Sequence, residues 1–289
     1  MACIITGTDF SPQADRAFLR AAQLARQTGL GLRVVHALGA GHAATGPFSP
    51  QGTAARHLAA LCSSVCGPAR ATTVPDILEG DPETLLPAQA ADLGARLLVI
   101  GPHRPDPLRD FTASRLASKL ARRLPCPLLL ANGPPFTPYR RVLVATDLSA
   151  GAMDAARAMA DLAPGSGGDV VFYHSYDPRP FGGIAAGTGP RSAMEEARAQ
   201  RQAAIEGELA AMASATGIEP HWIVAEPAEA SDAEMILRMA RSGAFDLVVA
   251  GMQGKSAIQR FLLGSVAETL LREAELDLLL VPPASRTPA

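Results

Sequence analysis

The chain has 289 residues, a formal net charge of −2 and 19% charged residues. That length holds two domains with a core each, while the balanced charge, with no long block of Lys and Arg, argues against a nucleic-acid partner. Four cysteines are too few for a disulfide scaffold of this size and no apolar run approaches the ~20 residues of a membrane span, so the expectation is a soluble cytoplasmic protein with reduced thiols and no membrane partner.

Along the chain, "CIITGTDFSP" at 3–12 reads as an apolar strand, an acidic residue (Asp9) and a helix start, with Ser11 as N-cap and Pro12 at the first helical position. The following helical stretch leads to a second strand ending near His36. His57, Cys62 and Cys66 lie close together on the next helical stretch. Three such residues are potential metal ligands, but incidental buried cysteines are commoner and no metal is expected. "ARLLVIG" (95–101) and "CPLLLANG" (126–133) read as further strands. The prolines at 134, 135 and 138 then disfavour both helix and central strand, which marks a linker. The boundary falls near 135, giving domains at 1–133 and 138–284.

Beyond the linker the chain repeats itself. Residues 3–38 match 142–176, with Asp9 over Asp147 and His36 over His174 at an offset of 138. The segments 95–101 and 126–133 match 245–251 and 276–283 at an offset of 150, so the second copy carries 12 extra residues between its second and fourth strands. In that copy strands are expected near 141–146, 169–174, 221–225, 246–250 and 277–281, and helices near 150–163, 192–216, 232–242 and 265–274. "SDAE" (231–234) and "SVAE" (265–268) both fit a capping box. Short apolar strands alternating with helices argue for a parallel sheet covered on both faces.

The stretch "GMQGKSAIQRFLLGS", 251–265, joins the fourth strand of this copy to its last helix with the spacing G-x2-G-x9-G-S. In an open parallel sheet, ligands collect beyond the carboxyl ends of the strands where the strand order reverses. If the first and fourth strands meet there, Asp147 and Gly251 face each other across the crevice. Gly251 permits a positive φ and close approach of a ligand, Gly254 exposes an amide in a concave turn, and Gly264-Ser265 opens a helix whose unpaired N–H groups favour an anion. Asp147 suits a base or sugar rather than phosphate, and Lys255 either neutralises a phosphate or points to water. Each residue also has a plainer use. The glycines serve a tight turn, Ser265 a capping box with Glu268, Asp147 a cap for the helix near Ala150, His36 and His174 packing, and Trp222 a buried or half-buried position.

The loop, the "ATDLS" after the first strand of the second copy, the His at the end of the next strand and the duplication resemble the universal stress protein family in its tandem form. The resemblance implies two Rossmann-like (adenine nucleotide alpha hydrolase-like) α/β domains, each a five-stranded parallel sheet of order 3-2-1-4-5 flanked by helices. It also implies that a complete loop binds ATP, or AMP or ADP, with Mg²⁺ as its accompanying ion. The ligand would lie among Thr146, Asp147, His174, Ser175, Gly251, Met252, Gly254, Lys255, Gly264, Ser265 and Val266. Asp147 would meet adenine, the backbone near His174 and Ser175 the base, Gly251 the ribose, and Gly254, Gly264 and Ser265 the phosphates. The first copy keeps Gly101 but has Arg104, Ser114 and Arg115 at the other three positions, with Pro102, Pro105 and Pro107 between. One nucleotide per chain is expected, although two arginines suit a side-chain grip on phosphate. The fifth strands would pair antiparallel within the chain as a pseudo-dimer, and a homodimer of chains is also expected. Three functions fit: a non-enzymatic nucleotide-binding regulator, a slow ATPase, and an interaction scaffold. No P-loop or G-x-G-x-x-G motif supports an enzyme.

Overall fold

A computed structural model describes residues 2–39, 49–66, 73–102, 113–162, 168–177, 191–254 and 263–284, without the side chains of 64–66, 113–115 and 191–194. The first half runs β1 (Cys3–Thr8), α1 (Pro12–Thr28), β2 (Gly31–Leu38), α2 (Pro50–Cys66), β3 (Thr73–Glu79), α3 (Pro82–Asp92), β4 (Leu97–Ile100), α4 (Ala113–Arg123) and β5 (Leu128–Leu130). The second half repeats the order with β6 (Arg141–Ala145), α5 (Ala150–Leu162), β7 (Asp169–Tyr176), α6 (Arg191–Thr216), β8 (Trp222–Pro227), α7 (Asp232–Ser242), β9 (Leu247–Gly251), α8 (Ser265–Glu273) and β10 (Asp277–Val281). Much of the insertion in the second half is helical, since α6 has 26 residues against 17 in α2.

Among the described residues the ten strands form one sheet of order β3-β2-β1-β4-β5-β10-β9-β6-β7-β8. Each half is parallel and reads 3-2-1-4-5, and the halves join where β5 and β10 pair antiparallel, Leu128 opposite Leu280 and Leu130 opposite Leu278. The strand order therefore reverses between β1 and β4 and again between β6 and β9. Helices α1, α2, α5 and α6 cover one face and α3, α4, α7 and α8 the other, so two apolar cores form, each drawing residues from both halves. The central strands are apolar on both sides because both sides are covered.

The local signals at α1 and α7 act as the sequence implies. The Ser11 hydroxyl accepts from the Ala14 amide ahead of Pro12, and Gly29, at φ 71°, ends α1 in the left-handed conformation that glycine tolerates best. Ser231 and Glu234 form a complete capping box for α7. The box expected at "SVAE" does not form: Gly264 is the N-cap of α8 with no side-chain bond, and Ser265 lies inside the helix. Trp222 also departs from expectation. It sits on the outermost strand and is 56% exposed, with the His221 ring edge-on to it at 4.2 Å between centroids.

The linker is anchored rather than slack. Arg20 of α1 is buried and donates to the carbonyls of Thr137, at 2.8 Å, and Pro134. Its Nε lies 2.9 Å from Oδ2 of the fully buried Asp277, which also accepts the Tyr139 hydroxyl at 2.6 Å. The other Asp277 oxygen accepts the Gly133 amide at 2.6 Å, and the Arg20 guanidinium stands over the Tyr139 ring. Burial pushes the Asp277 carboxyl above its ordinary range, while Arg20, Tyr139 and Gly133 pull it back. Asn132 donates to the carbonyls of Ala274 and Leu276, so the two halves are bonded around the linker as well as through the sheet.

Candidate functional site

At the carboxyl ends of β1 and β6 the chain makes the same turn twice. The Thr8 hydroxyl accepts the Phe10 amide at 3.0 Å and that of Thr146 accepts the Leu148 amide at 2.9 Å. The carboxylates of Asp9 and Asp147 each accept the amide two residues on, Ser11 or Ser149, at 3.0 Å. These bonds hold Phe10 and Leu148 at φ 63° and 62°, a conformation that is uncommon for such residues. Asp147 does not cap α5 itself. Ser149 does, its hydroxyl accepting the Ala152 amide at 3.3 Å. His36 and His174 also act alike, each ring Nδ1 lying 2.8 Å from the carbonyl of Thr8 or Thr146. Both therefore tie the second strand of their half to the end of the first, which is the packing use. Ser175 donates its hydroxyl to Asp232 at 2.7 Å.

The glycine at the end of the fourth strand is likewise shared, and its reason is steric. A Cβ on Gly101 would lie 2.3 Å from the Gln13 carbonyl oxygen in the first turn of α1. On Gly251 it would lie 3.1 Å from the carbonyl oxygen of Gly151 in the first turn of α5. Neither glycine has a positive φ, so of the two uses expected of Gly251 the left-handed conformation does not apply. The missing side chain admits the backbone of the neighbouring helix.

Gly254 and Gly264 belong to the second half alone. A Cβ on Gly254 would stand 2.6 Å from Oδ2 of Asp147, so the structure brings Gly254 directly beneath that carboxylate. The Gly264 amide is not bare as expected, since it donates to the Met252 carbonyl at 2.8 Å, while the Met252 amide donates to Val281. Met252 is buried, and these two bonds tie it to the end of β10 and to the start of α8. Within α8 the first intrahelical donor is Glu268, to Gly264, so the amides of Ser265, Val266 and Ala267 have no carbonyl of their own helix to pair with. The anion-favouring end is thus one residue further into the helix than Gly264.

Lys255 and Arg104 lie outside the described residues, as do the side chains of Ser114, Arg115 and Cys66. Among the described residues no group of three or more His, Cys, Asp or Glu side chains could hold a metal ion, and no helix is long and apolar enough to cross a membrane. Cys3, Cys62 and Cys126 are buried and form no disulfide among the described residues, and burial pushes the Cys126 thiol up to about 12.

The sequence pattern of the Universal stress protein family matches the chain twice, over residues 3–132 and 138–282. The chain belongs to the universal stress protein family. Of relatives in that family, a universal stress protein of Methanocaldococcus jannaschii is 29% identical over 143 residues, which span 50% of this chain and 82% of the relative. Among solved structures, a functionally unknown protein of Pseudomonas aeruginosa has a TM-score of 0.68 at 19% identity, over 99% of this chain and 94% of that one. A universal stress protein of Archaeoglobus fulgidus has a TM-score of 0.65 at 15% identity, over 97% and 98%. At those identities the likeness establishes the fold: two tandem universal stress protein domains, here fused into one sheet.

Proposed function

We propose that this universal stress protein binds an adenine nucleotide, ATP, in its second domain and acts as a stress-response regulator whose state is set by that nucleotide. The observation that carries the reading is the asymmetry of the two loops. Three features that both domains share have a structural use: the Thr-Asp turn, the His tie and the strand-ending glycine. What only the second domain has, Gly254 beneath Asp147 and Gly264 ahead of α8, removes side chains between a carboxylate and a helix N-terminus. A carboxylate accepts hydrogen bonds from a base or ribose, and α8 offers amides and a dipole suited to phosphate.

In this assignment Asp147 holds the nucleoside end, with Thr146, His174 and Ser175 fixing the floor on which it lies. Gly251 and Met252 shape the loop, Gly254 leaves room, and Gly264, Ser265 and Val266 present the phosphate end, with Lys255 as an added cation. Mg²⁺ would accompany the triphosphate as a counter-ion.

The test is equilibrium binding of radiolabelled ATP to the full chain. The expected stoichiometry is one per chain. Gly254→Asp is expected to abolish binding while the circular dichroism spectrum and cooperative unfolding persist, because it sets a side chain and a second negative charge against Asp147. Unchanged affinity in that variant removes the assignment, and two tight sites per chain would show that the first domain also binds. Phosphate release followed over hours distinguishes a regulator from a slow ATPase.

A further inference from the structure

The helix assigned above to phosphate packs against the other domain as well as its own. Leu120 and Ala121 of α4, Leu124 just beyond its end, and Ala267, Leu270 and Leu271 of α8 belong to one apolar core, although they come from different halves of the chain. At the rim of this contact Arg122 donates from Nη2 to Oε1 of Glu268 at 3.2 Å. Glu268 lies in the first turn of α8. A carboxylate there favours the helix's own dipole but opposes a second anion at the same end. Arg122 offsets that charge from across the domain boundary.

The ion pair is one-sided. At the repeat offset of 150, Glu268 corresponds to Ser118 and Arg122 to Arg272. Ser118 has no charge to pair, and Arg272 instead meets its neighbour Glu273 at 2.8 Å. Among the described residues, the ion pair between α4 and α8 therefore serves the helix that follows Gly254 and Gly264, and it has no counterpart at Ser118.

We propose that Arg122 of the first domain is a positioning residue for nucleotide phosphates held by the second, acting through Glu268, and that its effect grows with the number of phosphates on the ligand. The inference rests on the assignment of the second domain as the nucleotide site. Both side chains are partly exposed, so the effect is modest and salt-sensitive.

Calorimetric titration of the full chain at low ionic strength tests it with three probes: ATP, AMP and adenosine. Arg122→Ala is expected to weaken ATP binding about three-fold, AMP less, and adenosine not at all. Adding Glu268→Gln to that variant is expected to restore ATP affinity, because the uncompensated charge is gone. Equal ATP affinity in wild type and Arg122→Ala overturns the proposal, as does a loss that is the same for adenosine or that Glu268→Gln does not repair. A wild-type chain that binds no adenine nucleotide overturns the underlying site assignment and this proposal with it. That failure is distinguishable because it precedes any substitution.

Discussion

Gly251 and Gly101 show how a residue can fit a sequence pattern and be kept for a reason the pattern does not state. Both sit where a strand end meets the first turn of a helix, and a methyl group on Gly101 would overlap the Gln13 carbonyl oxygen at 2.3 Å. Gly101→Ala is expected to destabilise the chain by about 1–3 kcal/mol, read as a lower urea midpoint, with ATP affinity of the folded protein unchanged. A silent substitution would mean that the contact relaxes freely. Gly254 is the opposite case, for its neighbour is the Asp147 carboxylate rather than a backbone. Spacing in the sequence singles out both glycines but does not tell them apart. The distinction needs the atom that a side chain would meet, and that atom comes from another segment of the chain.

Helix boundaries were legible where the signal is local. Ser231 and Glu234 are three residues apart and bond each other's backbone, so the box at α7 depends on little beyond its own turn. Ser231→Ala is expected to cost about 1 kcal/mol of stability near neutral pH. Two bonds from Ser231, side chain first and then backbone, hold the Glu234 carboxyl below its ordinary 4.5. For an acid lowered in the folded state, the contribution is complete above the ordinary value and is lost as pH falls through the lowered one. Urea midpoints of wild type and Glu234→Gln should therefore differ near neutrality and converge in acid; a gap independent of pH would show that the carboxylate charge plays no part. The sequence "SVAE" carries the same pattern without the result. There the Met252 carbonyl takes the Gly264 amide, the chain enters α8 one residue earlier, and Ser265 is drawn into the helix. Glu268 is turned to Arg122 instead.

For the whole molecule, the fusion of two domains into one sheet is the main consequence of the fold. The join is sealed by β5 against β10 and by the buried set Arg20, Asp277 and Tyr139. Truncating one member strands a buried charge, so Asp277→Leu is expected to cost about 3–5 kcal/mol. Combining it with Arg20→Met should recover much of that loss, since no unpaired ion remains. Calorimetric unfolding of the single and double variants checks this, and additive losses would show that the two side chains do not act as a pair.

The sequence by itself determined the two α/β copies, the element order, the family and the asymmetry of the loops. Each of these rests on residue spacing within one segment or on the match between two. Only the tertiary structure decided why Gly251 has no side chain, which α8 amides are already taken, that Trp222 lies on the outermost strand, and that Arg20 meets Asp277. These contacts join residues far apart in the chain. Their partners are chosen by how the strands pair and the helices pack, and no local pattern encodes that choice.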